Sequence, residues 1–319
     1  MLLKKLSMAS VVATIALGTM LGFPSGAVAQ NFDRIYVFGD SLSDTGNMFK
    51  ATQGNSPPSP PYFRGRYSNG PVWVEYLASQ LKLTSNSDTN FAFGGATTGS
   101  SRTTPPGLLA QINSFTATHS SADPNALYLV WAGANDYLGG ATDSTGIINN
   151  LRMAVQSLSA AGAKNIVVVN LPDLGKLPGT HISQRSNLLT DLTKKHNSEL
   201  AASLTDLRQK LHSESNIRYI DVNSLFNQVI NTPKKFGFTN AIDSCLNEVS
   251  ICNNPNEYLF WDDIHPTTAA HKLFVELAFS DLKPAPASLA ISAPQLTFAL
   301  GAIISAAVGT GLILKRKKQ

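Results

Sequence analysis

Two side chains late in the sequence make the first chemical suggestion. In "FWDDIHPT", residues 260–267, Asp262 stands three residues before His265. One turn of chain at that spacing brings a carboxylate to imidazole Nδ1. That fixes the tautomer and leaves Nε2 free as a base. Asp263 also neighbours His265, but the three-residue spacing selects Asp262. A base needs a group to deprotonate. "YVFGDSLSDTGN", residues 36–47, offers Ser41 just after an apolar run and Gly39. Alone, this stretch reads equally well as an ordinary strand-to-helix turn. It is not the nucleophile elbow of the α/β-hydrolases, because Gly39-Asp40-Ser41-Leu42-Ser43 lacks the second glycine.

Two further segments offer donors for a developing negative charge. "NFAFGGATTG", residues 90–99, contains Gly94 and Gly95, whose backbone can approach a ligand closely. A tight turn is the plainer reading of those glycines taken alone. "WAGANDY", residues 131–137, contains Asn135, whose amide can point into a crevice or simply form a turn or cap a helix. Together the pieces make an inventory: Ser41 as nucleophile, His265 as base, Asp262 as orienter. Ser41 N–H, Gly95 N–H and the Asn135 amide complete it as oxyanion donors. Acyl transfer requires that set. An imidazole base predicts activity that rises with pH around 6–7. No His/Asp spacing resembles a metal-ligand set, and the chemistry calls for no cofactor.

Such residues need a scaffold that brings them together. Short apolar runs predict strands at Arg34–Gly39, Asn90–Phe93, Ala126–Trp131, Asn165–Asn170 and Ile217–Val222. Helical patterns fall between them at Val72–Leu81, Thr145–Ala161, Ser186–His212 and Thr267–Leu282. On the longest of these, Leu188, Leu192, His196 and Leu200 form one stripe. Pro266 suits the first position of the last helix. Alternation of strand and helix predicts an α/β sandwich, whose ligands gather beyond the carboxyl ends of the strands. Ser41, Gly95 and Asn135 all fall at such ends. The Pro-rich "SPPSPPY", residues 56–62, lies inside this domain and reads as a surface loop near the site.

At this point the sequence resembles a family. "FGDSLSDTGN", "NFAFGGATTG", "GAND" and "DDIHPT", in that order, resemble the four blocks of the GDSL lipases and esterases of the SGNH-hydrolase superfamily. Ser41, Gly95, Asn135, Asp262 and His265 occupy the matching positions. "GRYSNGPVWVEYLA" extends the likeness, which spans about residues 34–280. The resemblance implies a flavodoxin-like three-layer α/β/α sandwich with a five-stranded parallel sheet. It also implies an ester substrate and a serine mechanism. An acyltransferase, or an esterase that deacetylates carbohydrate, would use the same residues. A binding protein that has lost catalysis would show a broken block, and none is broken.

The two ends read differently from the body. Residues 1–29 carry Lys4 and Lys5, an apolar stretch and Ala27-Val28-Ala29, the pattern of a secretory signal. Residues 30–283 form the expected hydrolase domain, and 284–295 a Pro-containing linker. Leu296–Leu314 is uncharged and long enough to cross a bilayer, and residues 315–319 form a basic tail expected on the cytoplasmic side. The whole predicts an exported domain held to a membrane. The net charge of +4 is matched by the four basic residues of the tail, leaving a near-neutral body with no sign of nucleic-acid binding. Cys245 and Cys252 are the two cysteines, and an even pair in an exported chain predicts a disulfide. A metal pair would need further thiols or a histidine cluster.

Overall fold

Strands that are apolar at every position need cover on both faces, and the intervening helices supply it. The computed structural model describes residues 32–83, 88–211, 213–248 and 250–282. The expected signal, linker, span and basic tail lie outside the described residues. In chain order the elements begin β1 (Ile35–Gly39), α1 (Asn47–Ala51), α2 (Trp73–Gln80), α3 (Leu108–Thr118), β2 (Leu127–Trp131) and α4 (Ala134–Leu138). They continue with α5 (Thr145–Ala160), β3 (Asn165–Val169), α6 (Ser186–Leu211), β4 (Asn216–Ile220) and α7 (Val222–Asn231). The last are β5 (Asn240–Ser244), β6 (Tyr258–Phe260) and α8 (Thr268–Ala278). Every residue of β1, β2 and β3 is buried.

Among the described residues the main sheet is parallel and four-stranded, in the order β1-β2-β3-β4. This corrects the five strands expected. Asn90–Phe93 does follow the free edge of β1. Val37 N–H donates to Thr89 O at 2.9 Å, Phe91 N–H to Val37 O at 2.8 Å and Phe93 N–H to Gly39 O at 3.1 Å. Yet only one isolated bridge forms there, Val37 with Asn90. Gly39 N–H, which would donate to Phe91 O in a continued ladder, goes to Gln111 Oε1 at 2.8 Å instead, and the turn at Gly94 and Gly95 ends the run. The chain thus leaves β1 for the edge on one side, then returns to β2 on the other. That reversal opens a crevice at the carboxyl ends of β1 and β2.

Helices α3, α5 and α6 pack together in one group, and α2, α7 and α8 in another. Trp73 of α2 is fully buried, with its ring 5.5 Å from that of Trp131 at the end of β2. Three sequence expectations shift. The buried stripe of α6 runs through Leu189, Leu192, His196 and Leu200, while Leu188 is 43% exposed. The fourth strand stops at Ile220, because Asp221 turns the chain into α7 by accepting Ser224 N–H at 3.0 Å. Pro266 is not the first residue of α8. It bridges back to Phe260, and Thr267 caps the helix by accepting Ala270 N–H at 3.3 Å. A small second sheet pairs β5 with β6 and carries the Cys245–Cys252 disulfide at its end. Among the described residues, no helix is long and apolar enough to cross a membrane.

Candidate active site

Gly39 is where β1 must become a loop. A Cβ there would lie 2.1 Å from the carbonyl oxygen of Trp131, so only glycine lets β1 and β2 close at this point. Gln111 of α3 clamps the same residue, accepting Gly39 N–H and donating to Gly39 O, both at 2.8 Å. A tight turn follows. Asp40 O accepts the N–H groups of Ser43 and Asp44 at 3.0 Å, and Asp40 Oδ1 accepts that of Leu42 at 3.1 Å. Ser41 N–H finds no acceptor among the described residues. The Ser41 hydroxyl faces His265, with Oγ 2.8 Å from Nε2.

The other polar residues of this loop build rather than react. Asp44 accepts N–H groups from Gly46 (2.7 Å), Asn47 (2.6 Å), Met48 (3.0 Å) and Gly94 (2.8 Å). Asn47 donates to the carbonyls of Asn90 and Ala92 at 2.8 and 2.9 Å. These bonds tie the serine loop to the glycine loop. Gly94 is therefore not an open donor: its N–H is committed to Asp44, and a Cβ on it would fall 2.2 Å from the Tyr67 ring. Gly95 is different. Its φ of 80° is left-handed, and its N–H has no acceptor among the described residues. Asn135, in the first turn of α4, donates one amide hydrogen to Ala96 O at 2.9 Å and has a second to offer. Next to it, Asp136 holds Thr98 by its N–H and hydroxyl, at 3.0 and 2.8 Å.

Asp262 and His265 meet as their spacing predicts. His265 Nδ1 lies 2.8 Å from Asp262 Oδ2 and 2.9 Å from Oδ1. The N–H groups of Ile264 and His265 also point at Oδ1, at 2.8 and 2.7 Å. Burial works against the Asp262 carboxylate, but the His265 charge, the hydrogen bonds from its ring and backbone N–H and one from the Tyr62 hydroxyl outweigh it and hold its pKa at about 2. For His265 burial favours the neutral ring, yet the charge and hydrogen bond of Asp262, helped by Asp40, prevail and raise its pKa. Asp40 itself is pushed up to about 7, chiefly by burial.

Of the other histidines, two lie deep in the core. His196 and His271 are fully buried, and burial pulls their pKa values down to about 4 and 3. The disulfide supports the approach to Asp262: Cys245 N–H donates to Phe260 O at 3.1 Å, and Cys252 N–H to Cys245 O at 2.8 Å. Among the described residues, no group of three or more His, Cys, Asp or Glu side chains is placed to hold a metal ion.

An apolar cleft opens beside the serine. Ser41 and Asn135 line it together with Leu138, Leu174, Val222, Phe226, Phe260 and Ile264. Its free space is about 30 Å³, enough for a water or two. Entry of a long acyl chain would therefore require the walls to part.

A family profile described as GDSL-like lipase/acylhydrolase matches residues 35–278. The chain belongs to that family. It is thus an ester-hydrolysing serine hydrolase of the GDSL type. Among its relatives is the phosphatidylcholine-sterol acyltransferase of Aeromonas hydrophila, 26% identical over 303 residues. That match covers 77% of this chain and 89% of the relative. The thermolabile hemolysin of Vibrio parahaemolyticus is 29% identical over 265 residues, covering 76% of this chain and 62% of the relative. The secreted effector protein SseJ of Salmonella typhimurium is 27% identical over 275 residues, covering 79% of this chain and 64% of the relative.

Proposed function

We propose that this GDSL hydrolase is an exported, membrane-anchored esterase or lipase that works through an acyl-enzyme on Ser41. The observation that carries the reading is the unbroken relay from Ser41 Oγ through His265 to Asp262, with links of 2.8 and 2.8 Å, at the mouth of an apolar cleft. Ser41 Oγ attacks the ester carbonyl while His265 Nε2 takes its proton. Asp262 supports the imidazolium that forms. Negative charge on the carbonyl oxygen is met by Ser41 N–H, Gly95 N–H and the free amide hydrogen of Asn135. His265 then returns the proton to the leaving alcohol, and water releases the acyl group by the reverse sequence. The cleft receives the acyl chain as its walls part.

Acid-quenched reactions with acetyl and butyryl esters should leave the acyl mass on the peptide that contains Ser41. With chemistry rate-limiting, activity should rise with pH, because only neutral His265 can accept the proton. Its pKa is raised, so the inflection should lie above 6.5, the ordinary imidazole value. This moves up the range expected from sequence. Asp40 ionises in the same region, and its charge holds the proton on His265, which broadens the rise. Acyl mass on another residue, or a profile flat through this region, would remove the assignment.

A second reading is acyl transfer to an alcohol, favoured by the likeness to the Aeromonas acyltransferase. A competing alcohol in the assay separates the two by product. Export is supported by the signal-like N-terminus, by the disulfide and by a relative described as secreted. Anchoring is supported by the uncharged Leu296–Leu314 and the basic residues after it. Full-length protein should stay in membranes through a high-salt wash, since screening leaves apolar burial untouched. A chain ended at Pro284 should be soluble and active. Release of the full-length protein by salt alone would defeat the anchor.

A further inference from the structure

The segment between α1 and α2 lies over the relay and is fastened to it. Tyr62 O–H donates to Asp262 Oδ2 at 2.7 Å, a contact across 200 residues of chain. The Tyr67 ring sits 5.0 Å from the His265 ring, and its hydroxyl pairs with Ser56 Oγ at 3.1 Å. Ser68 Oγ donates to Pro266 O at 2.9 Å, and Asn69 Oδ1 accepts Thr268 N–H at 2.8 Å. The two oxygens of Asp262 are therefore held differently. Oδ1 takes both backbone N–H groups of its own loop. Oδ2 meets the imidazole at 2.8 Å and the phenol at 2.7 Å.

We propose that Tyr62 is a positioning residue for the Asp262–His265 pair, fixing the outer carboxylate oxygen and moderating its hold on the imidazolium. The inference rests on His265 being the base of the proposed mechanism. A hydrogen bond donated to a carboxylate stabilises its charge and draws it away from its other partner. The phenol thus competes with Nδ1–H for Oδ2. Without it, Asp262 grips the imidazolium harder and His265 stays protonated to higher pH. The phenol is a durable donor, because burial and the nearby Asp262 charge both raise its pKa. Other charged or titratable groups face the pair: Asp40 from the serine loop, His271 from α8, Tyr67 from the same segment and Asp263 beside Tyr62. Tyr62→Phe changes none of these. It removes one hydroxyl and keeps the ring that packs edge-on to Trp261.

The test is the pH profile of kcat/KM for a short ester in wild type and Tyr62→Phe, normalised by titration of active sites, with Ser41→Ala, normalised by protein concentration, as the control. Tyr62→Phe should move the inflection up by about half a pH unit, lower kcat several-fold and leave KM nearly unchanged. 3-Fluorotyrosine at position 62, a stronger donor of nearly the same shape, should move it down. Nitrogen-15 histidine shifts, followed against pH, read the same change on His265 without relying on turnover. If both replacements leave the inflection unmoved while turnover still depends on Ser41, Tyr62 has no such role. A loss of active sites at an unmoved inflection likewise reduces it to a packing residue. Near-normal turnover in Ser41→Ala would instead overturn the underlying mechanism, and the role of Tyr62 with it.

Discussion

Ser41→Ala should fold normally and lose nearly all ester turnover. The substitution removes one oxygen, 2.8 Å from His265 Nε2. Nothing in the turn depends on that oxygen. The loop is shaped by the Asp40 carbonyl and carboxylate and tied down by Asp44, all of which remain. Thermal unfolding should therefore be little changed. Turnover should fall roughly 10⁴–10⁶-fold, the range seen when a nucleophile acting in concert with its base is deleted. A residue of catalysis should persist, because the oxyanion donors and the cleft still bind an ester while water attacks. Intact melting together with near-normal turnover would exclude Ser41 as the nucleophile.

The sequence revealed the proposed reacting groups better than their supports, and there is a physical reason. Asp262 and His265 are close in sequence, so one turn of chain determines their contact. Ser41, Gly95 and Asn135 follow apolar runs, and the ends of parallel strands converge on one crevice whatever the details of packing. The supports obey no such local rule. Asp44 meets Gly94 at a separation of 50 residues, and Tyr62 meets Asp262 at 200. Each is an ordinary polar side chain until the fold supplies its partner. The Pro-rich loop was legible as lying near the site, but not as reaching the carboxylate. Gly94 and Gly95 look interchangeable in sequence, yet one accommodates Tyr67 and the other keeps a free N–H.

The fold shows the same division. The parallel strands were plain from continuous apolar runs. The edge segment at Asn90–Phe93 was not separable from a true strand, because its pairing with β1 is interrupted by the side chain of Gln111, distant in sequence, which takes Gly39 N–H. Helices α3 and α7 escaped notice. α7 follows directly on β4 through Asp221, so its start looked like the end of a strand. In α6 the stripe was misplaced from Leu189 to Leu188 because adjacent leucines give the pattern two phases. Tertiary packing chose between them.

The second large effect should come from Asn135→Ala, and here the structure separates two explanations in advance. Asn135 ties the glycine loop through Ala96 O at 2.9 Å and offers its other amide hydrogen to the crevice. Loss of the tie alone should be tolerated. Asp136 still holds that loop through Thr98 at 3.0 and 2.8 Å, and Asp44 still holds it through Gly94 at 2.8 Å. What the proposed mechanism cannot replace is a donor aimed at the oxyanion. Negative charge gathers on the carbonyl oxygen only as the nucleophile adds, so this donor acts mainly in the transition state. kcat should fall roughly 10²–10³-fold, with KM little changed. The Asn135→Ala protein should still take up an acyl group on Ser41, only more slowly, with the pH inflection of His265 unmoved. A rise in KM at constant kcat would instead make Asn135 a substrate-binding residue. A shift of the inflection would mean that the loop had moved against the relay and that Asn135 serves as a structural tie.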